Sequence, residues 1–341
     1  MNQKVKIGIL GCASVAEHYA IKAFQATGNA EVRGIASRDA AKAQEWASRF
    51  GIPSWHSYDS LIASPEIDAV YIPLPIGLHK NWVLKAAAKK KHVLCEKSLA
   101  EDFASVQEIV ESCRKNGVVL YENFMCDFHP QHKKVLSLIA DGAIGRPFLF
   151  EGRFGFPPLG EDDFRYDPAL GGGSLNDAGA YTVFMARKIL RSEPTAATCA
   201  LVRGQGKNVD IAGSAMLEFP GGQAAFVAFS FDAVYQNNYS VWGTNGLVRA
   251  GRAYSIPPDM KPPLELVTNA DRTETVAAVP APAANHFELM FHDFCDTILK
   301  KEKRGDAIGA TYARLIAQAK VLETMRIAAR ENRKVFLKEI A

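Results

Sequence analysis

Cysteine is scarce and unpatterned in this chain of 341 residues, with six thiols at 12, 95, 113, 126, 199 and 295, no CxxC spacing and no matching histidine cluster. Zinc sites need closely spaced Cys and His ligands, and disulfide scaffolds need short, cysteine-dense chains, so neither organises this protein. Reduced thiols in a cytoplasm fit best. An excess of one charge is also missing: 40 basic against 37 acidic residues leave a formal +3, with no long block of either sign. Charge therefore gives no case for nucleic acid or for a membrane surface. No stretch approaches the roughly 18 to 20 apolar residues of a membrane helix. Met1-Asn2-Gln3-Lys4 runs directly into Val5-Lys6-Ile7-Gly8-Ile9-Leu10, which is too short for a signal peptide and well placed as a first strand. GxSxG strings, P-loops and internal repeats are absent, which removes support for serine hydrolase and NTPase readings.

What is present is an ordinary globular composition, 48% hydrophobic and 23% charged, at a length that suits two domains. Up to about residue 126, short apolar runs (Lys6 to Leu10, Val32 to Ala36, Ala69 to Pro73, His92 to Cys95, Val118 to Tyr121) alternate with helical periodicity at Ala40 to Phe50, Asn81 to Lys91 and Phe103 to Asn116. That alternation predicts a doubly wound parallel sheet, a Rossmann domain over 1–126. After a helical stretch at Gln131 to Asp141, runs at Phe148 to Phe156, Thr195 to Arg203, Ser214 to Phe219, Gln223 to Phe231 and Tyr239 to Trp242 read as strands, with Pro220-Gly221-Gly222 as a hairpin signal. The second domain, 127–341, is therefore α+β on a largely antiparallel open sheet, an α/β chain overall. Residues 256–284, rich in Pro, Ala and Thr, read as loop with at most one strand, and the chain returns to helix at His286 to Lys300 and Ala310 to Asn332.

The first strand-to-helix turn carries Gly11-Cys12-Ala13-Ser14-Val15-Ala16, where small residues let a pyrophosphate approach helix amides. At the end of the second strand, Ser37-Arg38 stands where an NAD-preferring site carries an acid for the ribose hydroxyls. A hydroxyl and a guanidinium suit a 2'-phosphate, so NADP(H) is favoured over NAD(H). Further on, Gly171-Gly172-Gly173-Ser174-Leu175-Asn176-Asp177-Ala178-Gly179-Ala180-Tyr181 sets an acid and a phenol four residues apart, a spacing that places both on one helix face. An enzyme moving hydride to or from a carbonyl needs a proton donor beside it.

Four motifs in order carry a family resemblance: the glycine turn at Gly11; Tyr71-Ile72-Pro73-Leu74-Pro75 followed by His79; His92-Val93-Leu94-Cys95-Glu96-Lys97; and the Gly171 to Tyr181 segment. Together they resemble the Gfo/Idh/MocA oxidoreductases over essentially the whole chain, closest in appearance to ketoreductases of nucleotide sugars. The resemblance implies that Gly11, Ala13, Ser14, Val15, Ser37, Arg38, Leu74, Pro75, His79, Glu96, Lys97 and Asn123 bind the cofactor. It implies that Lys97 reaches the substrate oxygen as electrostatic partner to a developing alkoxide, that Tyr181 donates the proton in reduction, and that Asp177 orients substrate or lysine. Arg165 and Tyr166, in an aromatic, proline-rich loop, are implied to lie over the substrate, with Arg165 meeting a diphosphate. Ser98 departs from the family's proline after Lys97, and Asp127 stands where relatives often carry arginine.

The resulting expectation is a cytoplasmic NADP(H)-dependent oxidoreductase, its sharpest form the reduction of a 3-keto nucleotide sugar, self-associating through its second sheet as a homodimer or homotetramer. Alternatives are an NADP-dependent dehydrogenase of a free aldose, polyol or cyclic diol; a glycoside hydrolase with tightly bound NAD; and a non-catalytic nucleotide sensor. The last requires a degraded site, yet Lys97, Asp177 and Tyr181 are all present.

Overall fold

The computed structural model describes residues 3–340 apart from 205, 207 and 271; Met1 and Asn2, read above as leading into the first strand, lie outside that range. Strands β1 (Val5–Leu10), β2 (Ala30–Ala36), β3 (Ser54–Trp55), β4 (Ala69–Ile72), β5 (His92–Cys95) and β6 (Leu120–Glu122) alternate with helices α1 (Ile21–Ala26), α2 (Ala40–Phe50), α3 (Tyr58–Ala63), α4 (Ile76–Ala88) and α5 (Phe103–Asn116). Every residue of β4 is buried, as are the last four of β1, because helices cover both faces of a parallel sheet. The order is β3-β2-β1-β4-β5-β6, all parallel. The winding direction reverses between β1 and β4, which opens a crevice at the carboxyl ends of those strands, where such sheets bind ligands.

In the second unit, helices α6 (Pro130–Ala140) and α7 (Ala180–Leu190) accompany a nine-stranded sheet: β7 (Pro147–Gly155), β8 (Ala196–Arg203), β9 (Asp210–Glu218), β10 (Ala224–Ser230), β11 (Gln236–Gly243), β12 (Gly246–Ala250), β13 (Leu264–Ala270), β14 (Thr273–Ala278) and β15 (Val335–Phe336). Its order is β14-β13-β12-β11-β7-β10-β9-β8-β15, antiparallel except where β10 runs parallel to β7. Alternation decides the two faces: Ala225, Val227 and Phe229 are buried while Phe226 between them is 45% exposed. The region 256–284 departs from the loop expectation, since β13 and β14 pair residue for residue from Glu265 with Ala278 to Ala270 with Thr273. Proline on both sides of these runs masked the alternating Thr, Val and Glu that lie within them.

Helices α8 (His286–Leu299) and α9 (Gly305–Glu331) follow. The chain divides into one unit of Met1–Met125 with Phe287–Ile316 and another of Cys126–His286 with Ala317–Ala341. Within the first, Phe291 stacks on Phe24 at 4.1 Å between centroids, and Tyr121 donates its hydroxyl to Asp293 at 2.8 Å. Within the second, α7 is buried nearly all round, and α9 clamps it: Gln318 donates to the Ala180 carbonyl at 3.0 Å and accepts from Arg187 at 2.6 Å. Glu193 takes the rest of the Arg187 guanidinium at 2.6 and 2.7 Å, so this buried charge is paired and hydrogen-bonded. Under β11, His132 accepts from the Tyr239 hydroxyl at 2.9 Å and donates to the Ala253 carbonyl at 3.0 Å. His129 and His286, both buried, stand edge to face nearby at 6.1 Å.

Candidate active site

Gly11 follows β1 with φ +119°, a conformation that L side chains rarely adopt, and a Cβ there would meet the Leu74 methyl at 2.8 Å and the Tyr58 hydroxyl at 3.6 Å. The Gly11 amide donates to the Ala36 carbonyl at 2.8 Å, which holds the turn against the end of β2. Ala13 and Ser14 offer carbonyls to the next turn, Ala13 to Ala16 at 2.9 Å and Ser14 to His18 at 3.1 Å, and Val15 leads into it. Across the turn, the Ser37 hydroxyl meets the Cys12 thiol, whose ionisation burial pushes up. Arg38 is exposed, and its backbone is held by the Tyr58 hydroxyl, a contact that the sequence reading did not contain. Leu74 packs over Gly11, and Pro75 stands immediately before α4.

Lys97 follows β5 at the carboxyl edge of the sheet, half-buried, in a segment pinned at several points. Glu96 accepts on one oxygen from the Tyr71 hydroxyl and from the Asn123 amide, both at 2.6 Å. Burial pushes the Glu96 carboxyl above its ordinary range, and those two donors and Lys97 oppose the shift. The Lys97–Ser98 peptide is cis. The Ser98 carbonyl is met by His79 Nδ1 at 2.8 Å, while His79 Nε2 faces the Leu74 carbonyl at 2.7 Å, so one fully buried imidazole ties the loop after β4 to the loop after β5. Burial pushes this imidazole down to about 4 against the pull of both carbonyls. The Leu99 amide donates to buried Glu122 at 2.8 Å. Glu122 was not singled out from sequence, although it adjoins Asn123.

Two features of this unit fit a nicotinamide dinucleotide. Gly11 has to stay without a side chain, because its positive φ and the Leu74 methyl both exclude a Cβ, which keeps the turn as tight as a dinucleotide site requires, and the buried Asn123 Oδ1 has no hydrogen-bond partner among the described residues. An orphaned buried acceptor on the amide that holds Glu96 suits a donor from a ribose hydroxyl or a carboxamide.

In the second unit, Leu175–Gly179 forms a π-helical turn that runs into α7. The four-residue spacing of Asp177 and Tyr181 therefore spans a wider turn than the α-helix that the sequence reading assumed. Tyr181 is 6% exposed and packs edge-on against Phe154 at 5.3 Å. Arg165 Nε donates to Asp177 Oδ2 at 2.6 Å, and Nη1 meets Asp163 at 3.2 Å. The Tyr166 hydroxyl accepts from the Leu159 amide at 3.1 Å, and its ring meets Phe231. Asp210 at the start of β9 accepts from the Ser174 hydroxyl at 2.6 Å and from the Leu175 amide at 2.7 Å, capping the turn that carries Asp177. Nothing local marks Asp210, which lies 35 residues from Leu175 in sequence. Asp127 forms an ion pair with Lys188 of α7.

Comparison with known proteins agrees with this arrangement. Residues 5–124 match the model of the oxidoreductase family with NAD-binding Rossmann fold, and residues 132–249 match the GFO/IDH/MocA C-terminal domain. A dTDP-3,4-didehydro-2,6-dideoxy-alpha-D-glucose 3-reductase of Saccharopolyspora spinosa is 36% identical over 283 residues, 83% of this chain and 84% of that protein. A D-xylose 1-dehydrogenase (NADP(+)) of Haloferax volcanii is 39% identical over 265 residues, 77% of this chain and 80% of that protein. Among solved structures, a 3-ketoreductase from Actinomadura kijaniata in complex with NADP and TDP-benzene superposes with a TM-score of 0.89 at 30% identity, covering 96% of this chain and 98% of that one. With both domain models matched in order along a parallel Rossmann sheet and a mixed, mostly antiparallel one, the chain belongs to the Gfo/Idh/MocA family of oxidoreductases.

Proposed function

We propose that this protein is an NADPH-dependent reductase of a keto sugar carried on a nucleoside diphosphate, the 3-ketone being the form favoured. The observation that carries the reading is the likeness over 96% of the chain to a ketoreductase solved with NADP and a thymidine diphosphate ligand. Retention of Lys97, Asp177 and Tyr181 adds to it.

When bound, the nicotinamide supplies hydride to the carbonyl carbon. The Gly11 turn, with Ala13, Ser14 and Val15, would hold the pyrophosphate, Ser37 and Arg38 would hold the 2'-phosphate, and Leu74, Pro75, His79, Glu96, Lys97 and Asn123 would complete the cofactor site. Tyr181 gives its phenolic proton to the carbonyl oxygen as that oxygen becomes an alkoxide, and the Lys97 ammonium stabilises the developing negative charge. Asp177 orients the substrate or Lys97. His79 and Glu122, which hold the Ser98 carbonyl and the Leu99 amide, fix the backbone from which the Lys97 side chain extends.

A second copy of the chain covers the open face of the nine-stranded sheet in this reading, giving a homodimer or homotetramer. Its support is the exposure of Phe226, Trp242 and Phe148 on that sheet. Six cysteines, all thiols, support a reducing cytoplasm.

The second reading, a dehydrogenase of a free aldose, is favoured by the 39% identity to the xylose enzyme. Fluorescence titration with NADPH, then with thymidine diphosphate or free xylose as second ligand, separates the two. Binding of thymidine diphosphate to the NADPH complex supports the nucleotide-sugar reductase. Binding and oxidation of xylose with no nucleotide binding supports the aldose dehydrogenase.

A further inference from the structure

The loop between β7 and the π-helical turn folds back on itself. Two single 3-10 turns, Phe164–Tyr166 and Pro168–Leu170, are each capped by an aspartate: Asp163 accepts from the Arg165 amide at 3.0 Å, and Asp167 from the Ala169 amide at 2.8 Å. The glycine run then closes the loop. Gly172 donates to the Asp167 carbonyl and Gly173 to the Arg165 carbonyl, both at 3.0 Å, and a Cβ on Gly172 would lie 2.4 Å from that Arg165 oxygen. The Arg165 backbone is thus fixed by the same glycines that begin the Asp177 segment.

Its side chain is committed as well. Nε donates to Asp177 Oδ2 at 2.6 Å; Nη1 reaches Asp163 Oδ1 at 3.2 Å and Oδ2 at 3.4 Å; and the guanidinium lies over the Phe164 ring at 4.6 Å. Arg165 is 30% exposed and its two carboxylates 15% and 25%. A cation facing two carboxylates sits in a locally negative group, and a phosphate approaching it meets that repulsion and competes with a contact already made at close range. Asp177, by contrast, gains a fixed orientation, because a guanidinium Nε–H constrains the carboxylate plane more tightly than a flexible ammonium does.

We propose that Arg165 is a positioning residue for Asp177, gripped from the other side by Asp163, and not an anchor for the substrate's diphosphate. The inference rests on the proposed place of Asp177 in the reaction. It also makes the loop and the site one cooperative piece: whatever displaces the loop withdraws the guanidinium from Asp177.

The test compares Arg165→Gln, Arg165→Lys, Asp163→Asn and Asp177→Asn in the full-length protein. It uses steady-state turnover of a thymidine diphosphate keto sugar with NADPH, and calorimetric titration of thymidine diphosphate onto the NADP(+) complex. Positioning expects kcat of Arg165→Gln to fall on the order of 10- to 100-fold, as a misplaced group near the reacting centre costs. Arg165→Lys recovers part of that loss, and the affinity for thymidine diphosphate stays within about twofold in both. Asp163→Asn keeps the Arg165 to Asp177 bond but loosens the second grip, so kcat falls less than in Arg165→Gln and the affinity for thymidine diphosphate does not rise. A loss of about tenfold or more in thymidine diphosphate affinity in Arg165→Gln with kcat unchanged at saturation overturns the inference, as does tighter nucleotide binding in Asp163→Asn, where a freed cation would draw the phosphates. Should Arg165→Gln not fold, Asp163→Asn and Arg165→Lys still decide between the two roles. An inactive Asp177→Asn beside a fully active Arg165→Gln refutes the positioning role alone, whereas a fully active Asp177→Asn refutes the proposed site as well.

Discussion

Asp210 offers the sharpest perturbation of the segment that carries Asp177 and Tyr181. Its Oδ2 takes two hydrogen bonds, from Ser174 at 2.6 Å and Leu175 at 2.7 Å, and both donors belong to residues no more than 2% exposed. Asp210→Ala removes a charged acceptor and strands a buried hydroxyl and a buried amide. Charge-assisted bonds contribute about 1.5–3 kcal/mol and a lost cap about 0.5–2 kcal/mol; shared by one carboxylate, the two give a combined cost of about 2–4 kcal/mol. For a unit of this size that lowers Tm by roughly 5–15 °C. Asp210→Asn keeps a neutral acceptor in place and costs about 1 kcal/mol. Because the cap sets where the helix begins, kcat of the alanine variant falls on the order of 10- to 100-fold when measured well below its Tm. Urea unfolding followed by circular dichroism, with steady-state turnover on the same samples, measures both. Stability of Asp210→Ala within about 0.5 kcal/mol of the wild type refutes the reasoning, because no buried donor is then left stranded.

Gly173→Ala strains a φ of +120° and drives a Cβ to 2.6 Å from Asp210 Oδ1, so a loss of about 2 kcal/mol or more is expected in the same urea experiment. Arg38→Ala weakens NADPH about 10- to 100-fold by fluorescence titration and leaves NADH within about twofold, whereas equal losses contradict a 2'-phosphate contact. Burial pushes His129 down to about 4 and His286 to about 3, so between the ordinary histidine value and those values the unfolded chain binds more protons than the folded one. Stability is fully present above about pH 6.5 and falls as pH drops toward 4, by roughly 2 kcal/mol per histidine between pH 7 and 5. Urea titrations at those two pH values check it, and a His286→Gln variant, where it folds, shows a shallower slope. A flat profile contradicts the burial of neutral imidazoles.

The features legible in sequence are those written locally. Strand-then-helix alternation reaches the Rossmann order because each βαβ unit is contiguous, and Gly11, Lys97 and Tyr181 announce themselves through the turn, the strand end and the glycine run beside them. What was not legible depends on side chains that meet across the fold. Asp210 reaches Leu175 from 35 residues away, Glu122 reaches Leu99 from 23, and Gln318 reaches Ala180 from 138, so no window of sequence contains both partners. The π-helical turn at Leu175–Gly179 escaped because periodicity distinguishes helix from strand, not one helical pitch from a slightly wider one. The β13–β14 hairpin escaped because flanking prolines outweighed a weak alternation. Arg165 was legible as a functional residue from its loop, yet its partner Asp177, twelve residues on, becomes evident only once the loop folds back.

The central claim, a reductase that takes hydride from NADPH for a keto sugar held on a nucleoside diphosphate, is tested most directly by NADPH oxidation with a thymidine diphosphate 3-keto sugar. The same free keto sugar and the Tyr181→Phe variant run beside it. Turnover is expected with the nucleotide-linked substrate and little with the free sugar, and Tyr181→Phe loses on the order of 10²- to 10⁴-fold in kcat at unchanged NADPH affinity. Equal turnover of the free sugar, or a Tyr181→Phe variant as fast as the wild type, contradicts it.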